Sequence, residues 1–231
     1  MNGPQSVEAR VAEIKSMRRD KRLEALNAER DPDVLGRFAL QSRGGEQIEA
    51  IEALGNSGSA DAAPYLIALF STDTRDRFRQ TVVNAALGRV GSPAAIPHLV
   101  RFIHSPIEDV KASAIAALSA LGDADLTPVF LDALTDRSWV AKWYAMQAIA
   151  EHADERAIEA VVERVKVILS RKPKTNIGSD SELVYALRFL TRWSAVSVAA
   201  QAAIAWAATR RDFMRDQELV WFEATIGAGQ I

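Results

Sequence analysis

Residues 53–69 read ALGNSGSADAAPYLIAL, and variants of that text return along the chain. Thirty-three positions on, residues 86–102 read ALGRVGSPAAIPHLVRF; thirty-one further, residues 117–133 read ALSALGDADLTPVFLDA. A looser fourth copy, AIAEHADERAIEAVVER, occupies 148–164. A period of this length marks one supersecondary unit repeated in tandem, each copy burying its apolar face only against its neighbours.

Within a copy the spacing predicts two helices, A then B. Ala50, Val83, Ala114 and Ala145 form one equivalent row in the A helices, and Leu54, Leu87, Leu118 and Ile149 a second row four residues on. Residues four apart share a helix face, so both rows point inward. Small residues in the first row let adjacent helices come close. Gly58, Gly91 and Gly122 fall where helix A must stop, and Pro64, Pro97 and Pro128 in the first turn of helix B, where a missing N–H costs nothing. Leu66, Leu99, Phe130 and Val161 are the inward B-helix residues, and Thr72-Asp73, Ser105-Pro106 and Thr135-Asp136 the turns between copies.

Outward from the repeats, residues 6–29 are expected to form a helix with Val7, Val11, Ile14, Leu23 and Leu26 as its stripe. Asp31-Pro32 then reads as an N-cap with proline in the first turn, opening a short helix through Leu40 that Gly44-Gly45 ends. Residues 1–44 are read as a cap or degenerate first repeat, 45–170 as the repeats, and 171–231 as a C-terminal helical pair and capping helix. Residues 170–180, SRKPKTNIGSD, are expected to form a basic loop. Helices are expected over about 181–193, 195–209 and 211–225, with Ala186 and Leu190 continuing the A-helix rows. The fold class is all-α: a right-handed α-solenoid with helical caps.

Composition narrows the function. The 231 residues hold no cysteine and carry a formal charge of −2, which excludes disulfides, a thiol nucleophile and thiolate metal sites, and shows no global basic field for nucleic acid. The opening MNGPQSVEARVAEIK lacks the apolar core of a secretory signal. The apolar stretch 194–209 is too short for a confident span. A cytoplasmic protein is expected.

The pattern A–L–G–x–x–G–x–x–x–A–x–P–x–L over 53–66 and 86–99, with relaxed forms over 117–130 and 148–161, resembles the HEAT-like repeats of phycobilisome lyases. The resemblance covers roughly 45–170 and implies a solenoid of helical hairpins. It also implies a range of roles: bilin lyases and their relatives, adaptors and scaffolds, bacterial regulatory or immunity-type proteins and, among related solenoids, alkylpurine DNA glycosylases. Fold does not choose among them.

The motif positions serve packing and turns, so function must lie in residues that vary between copies. Stacked B helices would form a concave wall, the usual binding surface of such arrays. Two outward rows are expected there: Tyr65, His98, Val129 and Ala160, then Ala68, Arg101, Asp132 and Glu163, with Ser105, Asp136 and Lys166 beside them. Tyr and Arg suit protein interfaces, while Asp132 and Glu163 would select a partner of complementary charge. A second candidate is the aromatic cluster Trp139, Trp143 and Tyr144, with Trp193, Trp206 and Trp221 later in the chain. It is either filler at an irregular repeat or a wall for a flat ligand. For base excision, Asp136 would supply the acid, Trp139 and Trp143 the base wall, and Lys142, Arg171, Lys172 and Lys174 the phosphate track. Against this, residues 45–169 hold 11 Lys+Arg and 17 Asp+Glu, a net of −6 (11 − 17). The basic run 18–22 reads as a solvated capping face.

No metal-ligand spacing is evident around His98, His104 or His152, and the paired His-Glu steps of HEAT-repeat iron hydroxylases are missing. Neither a cofactor nor a metal is expected. The expectation is a non-enzymatic module, monomeric, binding another protein through the B-helix face. Nucleic acid and membrane are not expected as partners. The alternatives are a HEAT-like glycosylase or a bilin lyase-like protein.

Overall fold

A computed structural model describes residues 6–70, 76–173 and 181–227. Thr72-Asp73 and most of the predicted basic loop lie outside these. All regular structure among the described residues is helical, in two compact units, Met1–Leu121 and Gly122–Ile231.

The first unit contains α1 (Val7–Ser16), α2 (Arg19–Ala28), α3 (Pro32–Gln41), α4 (Gly44–Ser57), α5 (Ala63–Phe70), α6 (Arg77–Val90), α7 (Ile96–Val100) and α8 (Glu108–Ala120). The A helices α4, α6 and α8 pack side by side. Ala50, Val83 and Ala114 are buried at their contacts, as are Leu54, Leu87 and Leu118. Burying each such leucine contributes about 2 kcal/mol. The glycine of the repeated Ala-Leu-Gly sets the spacing. A Cβ on Gly55 would lie 2.8 Å from the Ala86 Cα, and one on Gly88 would lie 2.9 Å from the Ala117 Cα. Each glycine therefore receives the alanine of the next A helix. Gly58, Gly91 and Gly122 take φ of 64°, 71° and 66°, the left-handed turn that ends the A helix.

One residue departs from its row. Asn84 of α6 takes the repeat position held elsewhere by Ile51, Ile115 and Met146, and all four are buried. Its Nδ2 donates across to α8, to the Val110 carbonyl (3.1 Å) and the Ser113 hydroxyl (2.9 Å). Its Oδ1 has no hydrogen-bond partner among the described residues.

The N-terminal expectation needs two corrections. The helix expected over 6–29 is two, broken where Met17 and Arg18 are extended. Nine residues separate Ile14 from Leu23, so at about 100° per residue one straight helix would put them on opposite sides. The break lets Val11, Ile14 and Leu26 all be buried. Arg22 holds it, donating to the Met17 carbonyl (2.7 Å) and pairing with Glu46 of α4. Second, Gly44 opens α4 rather than ending α3, which stops at Ser42. The Asp31 cap forms as expected, accepting from the Asp33 N–H at 2.9 Å. Helix α2 packs beside α4 and α3 beside α5, the pairing of an A and a B helix with those of the next copy, with α1 laid against α3.

The second unit contains α9 (Thr127–Leu134), α10 (Trp139–His152), α11 (Ile158–Ile168), α12 (Glu182–Trp193), α13 (Val198–Ala208) and α14 (Asp216–Phe222). Ala145, Ile149, Ala186 and Leu190 continue the two rows and are buried. The helix expected over 211–225 is instead a 3-10 turn at Arg211–Phe213, the short α14 and a π turn at Glu223–Gly227. Short 3-10 turns also precede α5, α7, α9 and α11. The proline of each of α5, α7 and α9 falls in its first turn.

The fourth A helix ends differently. Ala153 stands where the other copies have glycine, and its backbone is extended (φ −68°, ψ 151°). The exposed carbonyls are met from α12. Arg192 Nη1 donates to the carbonyls of Ala150 (3.0 Å) and Glu151 (3.3 Å), and Nη2 to that of Ala153 (2.5 Å). A cation at a helix C-terminus also opposes the helix dipole. Burial lowers the pKa of this guanidinium.

Candidate functional site

In the first unit the predicted B-helix residues fall into two kinds. Tyr65 is half-buried, because the α3 residue facing it is Gly36: a Cβ there would fall 2.2 Å from the Tyr65 ring. The phenol donates to Asp33 Oδ1 at 2.7 Å, and this bond raises the Tyr65 pKa above its ordinary value. Arg37, a turn beyond Asp33, pairs with Glu8 of α1 at 2.6 Å. His98 lies parallel to the Phe70 ring (6.5 Å, 4°), and Phe70 also stacks on Phe102 (5.0 Å). Tyr65 and His98 thus tie neighbouring B helices together while keeping part of their surface open. Arg101 is exposed, just beyond the end of the five-residue α7. Ser105, expected beside the outward rows, is buried; its hydroxyl accepts from the Ile107 N–H (3.2 Å), closing the turn.

In the second unit Val129 is half-buried and Asp132 exposed on α9. Ala160 is half-buried on α11, and Glu163 is exposed and paired with Lys166 at 2.6 Å. Asp136 accepts from the Ser138 N–H at 2.7 Å, a turn-closing role that leads into the Ser138 cap of α10. Trp139 opens α10 and is 73% exposed. Trp143, one turn on, is half-buried and stands edge-on to Tyr144 (4.8 Å) and to Tyr185 of α12 (5.6 Å). The Arg188 guanidinium lies 5.6 Å from the Tyr185 ring centre. Trp193 packs near Phe189, and Trp206 lies under Arg210.

Sequence reasoning missed Asp33, Gly36, Phe70, Tyr185 and Arg188. A signal for the first two exists. Pro32 precedes Pro64 by 32 residues, close to the repeat length, which puts Asp33 in register with Tyr65 and His98. Among the described residues no three His, Cys, Asp or Glu side chains are grouped to hold a metal ion, and no helix is long and apolar enough to cross a membrane.

Residues 19–119 match the family model for HEAT repeats. No curated protein matches the chain. Among solved structures, a chain from the complex of CpcE and CpcF of phycocyanin lyase from Nostoc sp. PCC7120 superposes with a TM-score of 0.52 at 18% identity, covering 90% of this chain and 96% of that one. An engineered protein gives 0.48 at 22% identity, with coverage of 99% and 98%. At 18% identity the first likeness is one of fold, and with the family match it supports an α-solenoid of HEAT-like hairpins.

Proposed function

We propose that this HEAT-like repeat protein is a non-enzymatic adaptor that binds another protein through its B-helix positions: Tyr65, His98 and Arg101 in the first unit, Val129, Asp132 and Glu163 in the second. The reading is supported chiefly by the way Tyr65 is held. Its ring lies over a glycine and its hydroxyl is fixed by Asp33, so an amphipathic anchor stands ready with little side-chain entropy left to lose on binding. Arg101 and Asp132, exposed on different B segments, supply opposite charges for selecting a partner. The packing rows are shared between copies, whereas these positions differ from copy to copy, as expected where a repeated scaffold carries an individual surface.

Affinity capture from lysate of the source organism, followed by binding measurements with the captured protein, tests this. Because Tyr65 and His98 also tie helices together, the informative changes are Arg101→Glu and Asp132→Lys, checked for unchanged melting. At least a tenfold loss of affinity is expected for the pair. Unchanged affinity in the folded double variant would refute the B-helix site.

A further inference from the structure

A second surface lies on the A helices of the second unit and is not used by the B-helix reading. Trp139 exposes nearly three quarters of its surface at the start of α10. Trp143 follows on the same helix face, since residues four apart are neighbours there. Its ring meets Tyr185 of α12 edge-on, and Tyr185 in turn carries the guanidinium of Arg188. Half-buried Trp143 and buried Tyr185, on adjacent helices, are therefore joined into a floor, with the open Trp139 one turn before Trp143 and the Arg188 cation against Tyr185. Single exposed apolar residues are ordinary on a soluble protein; an open tryptophan one helical turn from a packed aromatic pair is a recognition feature.

The charges around this floor decide what it fits. Arg137 precedes α10 and is exposed, Lys142 lies between the two tryptophans in sequence, and Arg188 is exposed on α12. The nearby acids are already engaged. Glu182 is held by Arg164 Nε (2.5 Å) and Nη2 (2.7 Å), and Asp136 accepts from the Ser138 N–H. Glu182 is thus neutralised, while Asp136 keeps its charge beside the three cations Arg137, Lys142 and Arg188, so the rim is net cationic. A long polyanion is disfavoured nonetheless, because residues 122–170 carry nine Asp+Glu against five Lys+Arg. Only a short ligand stays within the basic rim.

We infer that the Trp139–Trp143–Tyr185 surface binds a short acidic peptide segment of a partner protein, one that seats an aromatic or aliphatic side chain beside Trp139 and sets its carboxylates against Arg137, Lys142 and Arg188. The aromatic anchor supplies buried area, and the carboxylates supply orientation and a salt-sensitive on-rate.

The test is selection of a random twelve-residue display library on the full-length protein, with binding of synthesised hits followed by tryptophan fluorescence. Enriched peptides should carry two or more Asp or Glu around one aromatic or aliphatic residue. They should bind at least tenfold more weakly to Trp139→Ala and to Arg188→Glu, both surface changes, and lose affinity as salt rises. Three results would overturn the inference: no enrichment over the Trp139→Ala protein, hits that bind both variants as well as wild type, or a twenty-residue oligothymidine binding more tightly than any peptide. The last would reassign the surface to single-stranded nucleic acid, where bases stack on the same rings.

Discussion

The second A helix and the fourth solve the same two problems in opposite ways. In α6, Gly88 lacks the Cβ that would strike Ala117, and Gly91 turns left-handed to end the helix. In α10 both positions are alanine, Ala150 and Ala153. Between α10 and α12 larger groups meet instead: Trp143 against Tyr185, and Arg192 reaching the carbonyls of Ala150, Glu151 and Ala153. Where glycine is lost, side chains from the next repeat must do its work. The aromatic surface proposed as a peptide site is built at that α10–α12 contact. A departure from the repeat pattern thus coincides with a candidate for function.

The comparison breaks most sharply at Gly88. Gly88→Val should cost about 3 kcal/mol by forcing α6 away from α8. Urea unfolding reads this, and a change of less than about 1 kcal/mol would mean that the glycine does not set the helix spacing. Next in size is Arg192→Ala, which leaves three carbonyls without their donor and should cost about 2 kcal/mol. Adding Ala153→Gly should then restore about half of that by permitting the left-handed cap of the other copies. A double variant no more stable than Arg192→Ala alone would show that the two terminations are not interchangeable. The smallest effect is at Tyr65. Its pKa is raised in the fold because Asp33 accepts the phenol proton, so the fold holds that proton more tightly than the unfolded chain does. The stabilisation is complete below the ordinary value of 10.0 and is lost as pH rises through the folded pKa. Tyr65→Phe should lose about 1 kcal/mol at neutral pH and lack this alkaline decline, which thermal melts from pH 8 to 11.5 would show.

The inner rows were legible because packing leaves a periodic trace: small and large apolar residues recur at fixed spacing, with glycine and proline marking the corners. What escaped was whatever one element does for another. The Arg192 cap joins residues 39 to 42 positions apart, a distance at which no repeat spacing points to it. The α1–α2 break was readable from the half-turn offset of Ile14 and Leu23, yet a list of apolar residues hides a phase change. At the candidate site, spacing put Tyr65 and His98 on the outward side of their helices, and the structure leaves both half-buried. Spacing could not say that Gly36 leaves a hollow for one ring or that Phe70 stacks on the other, because those partners lie one repeat away.

Asn84 has a further consequence. An array of near-copies carries its own ambiguity: any A helix offers much the same alanine, leucine and glycine to any other, and a helix displaced by a turn or paired with the wrong copy would lose little apolar contact. A polar side chain within an otherwise aliphatic row removes that degeneracy. Its Nδ2 is satisfied only beside the Val110 carbonyl and the Ser113 hydroxyl. The equivalents of Ser113 in the other copies are Glu49, Val82 and Tyr144, so a mispaired α6 would not find the same hydroxyl. The unmatched Oδ1 is a standing cost of that choice, and what it secures is an address: α6 belongs next to α8, in one register.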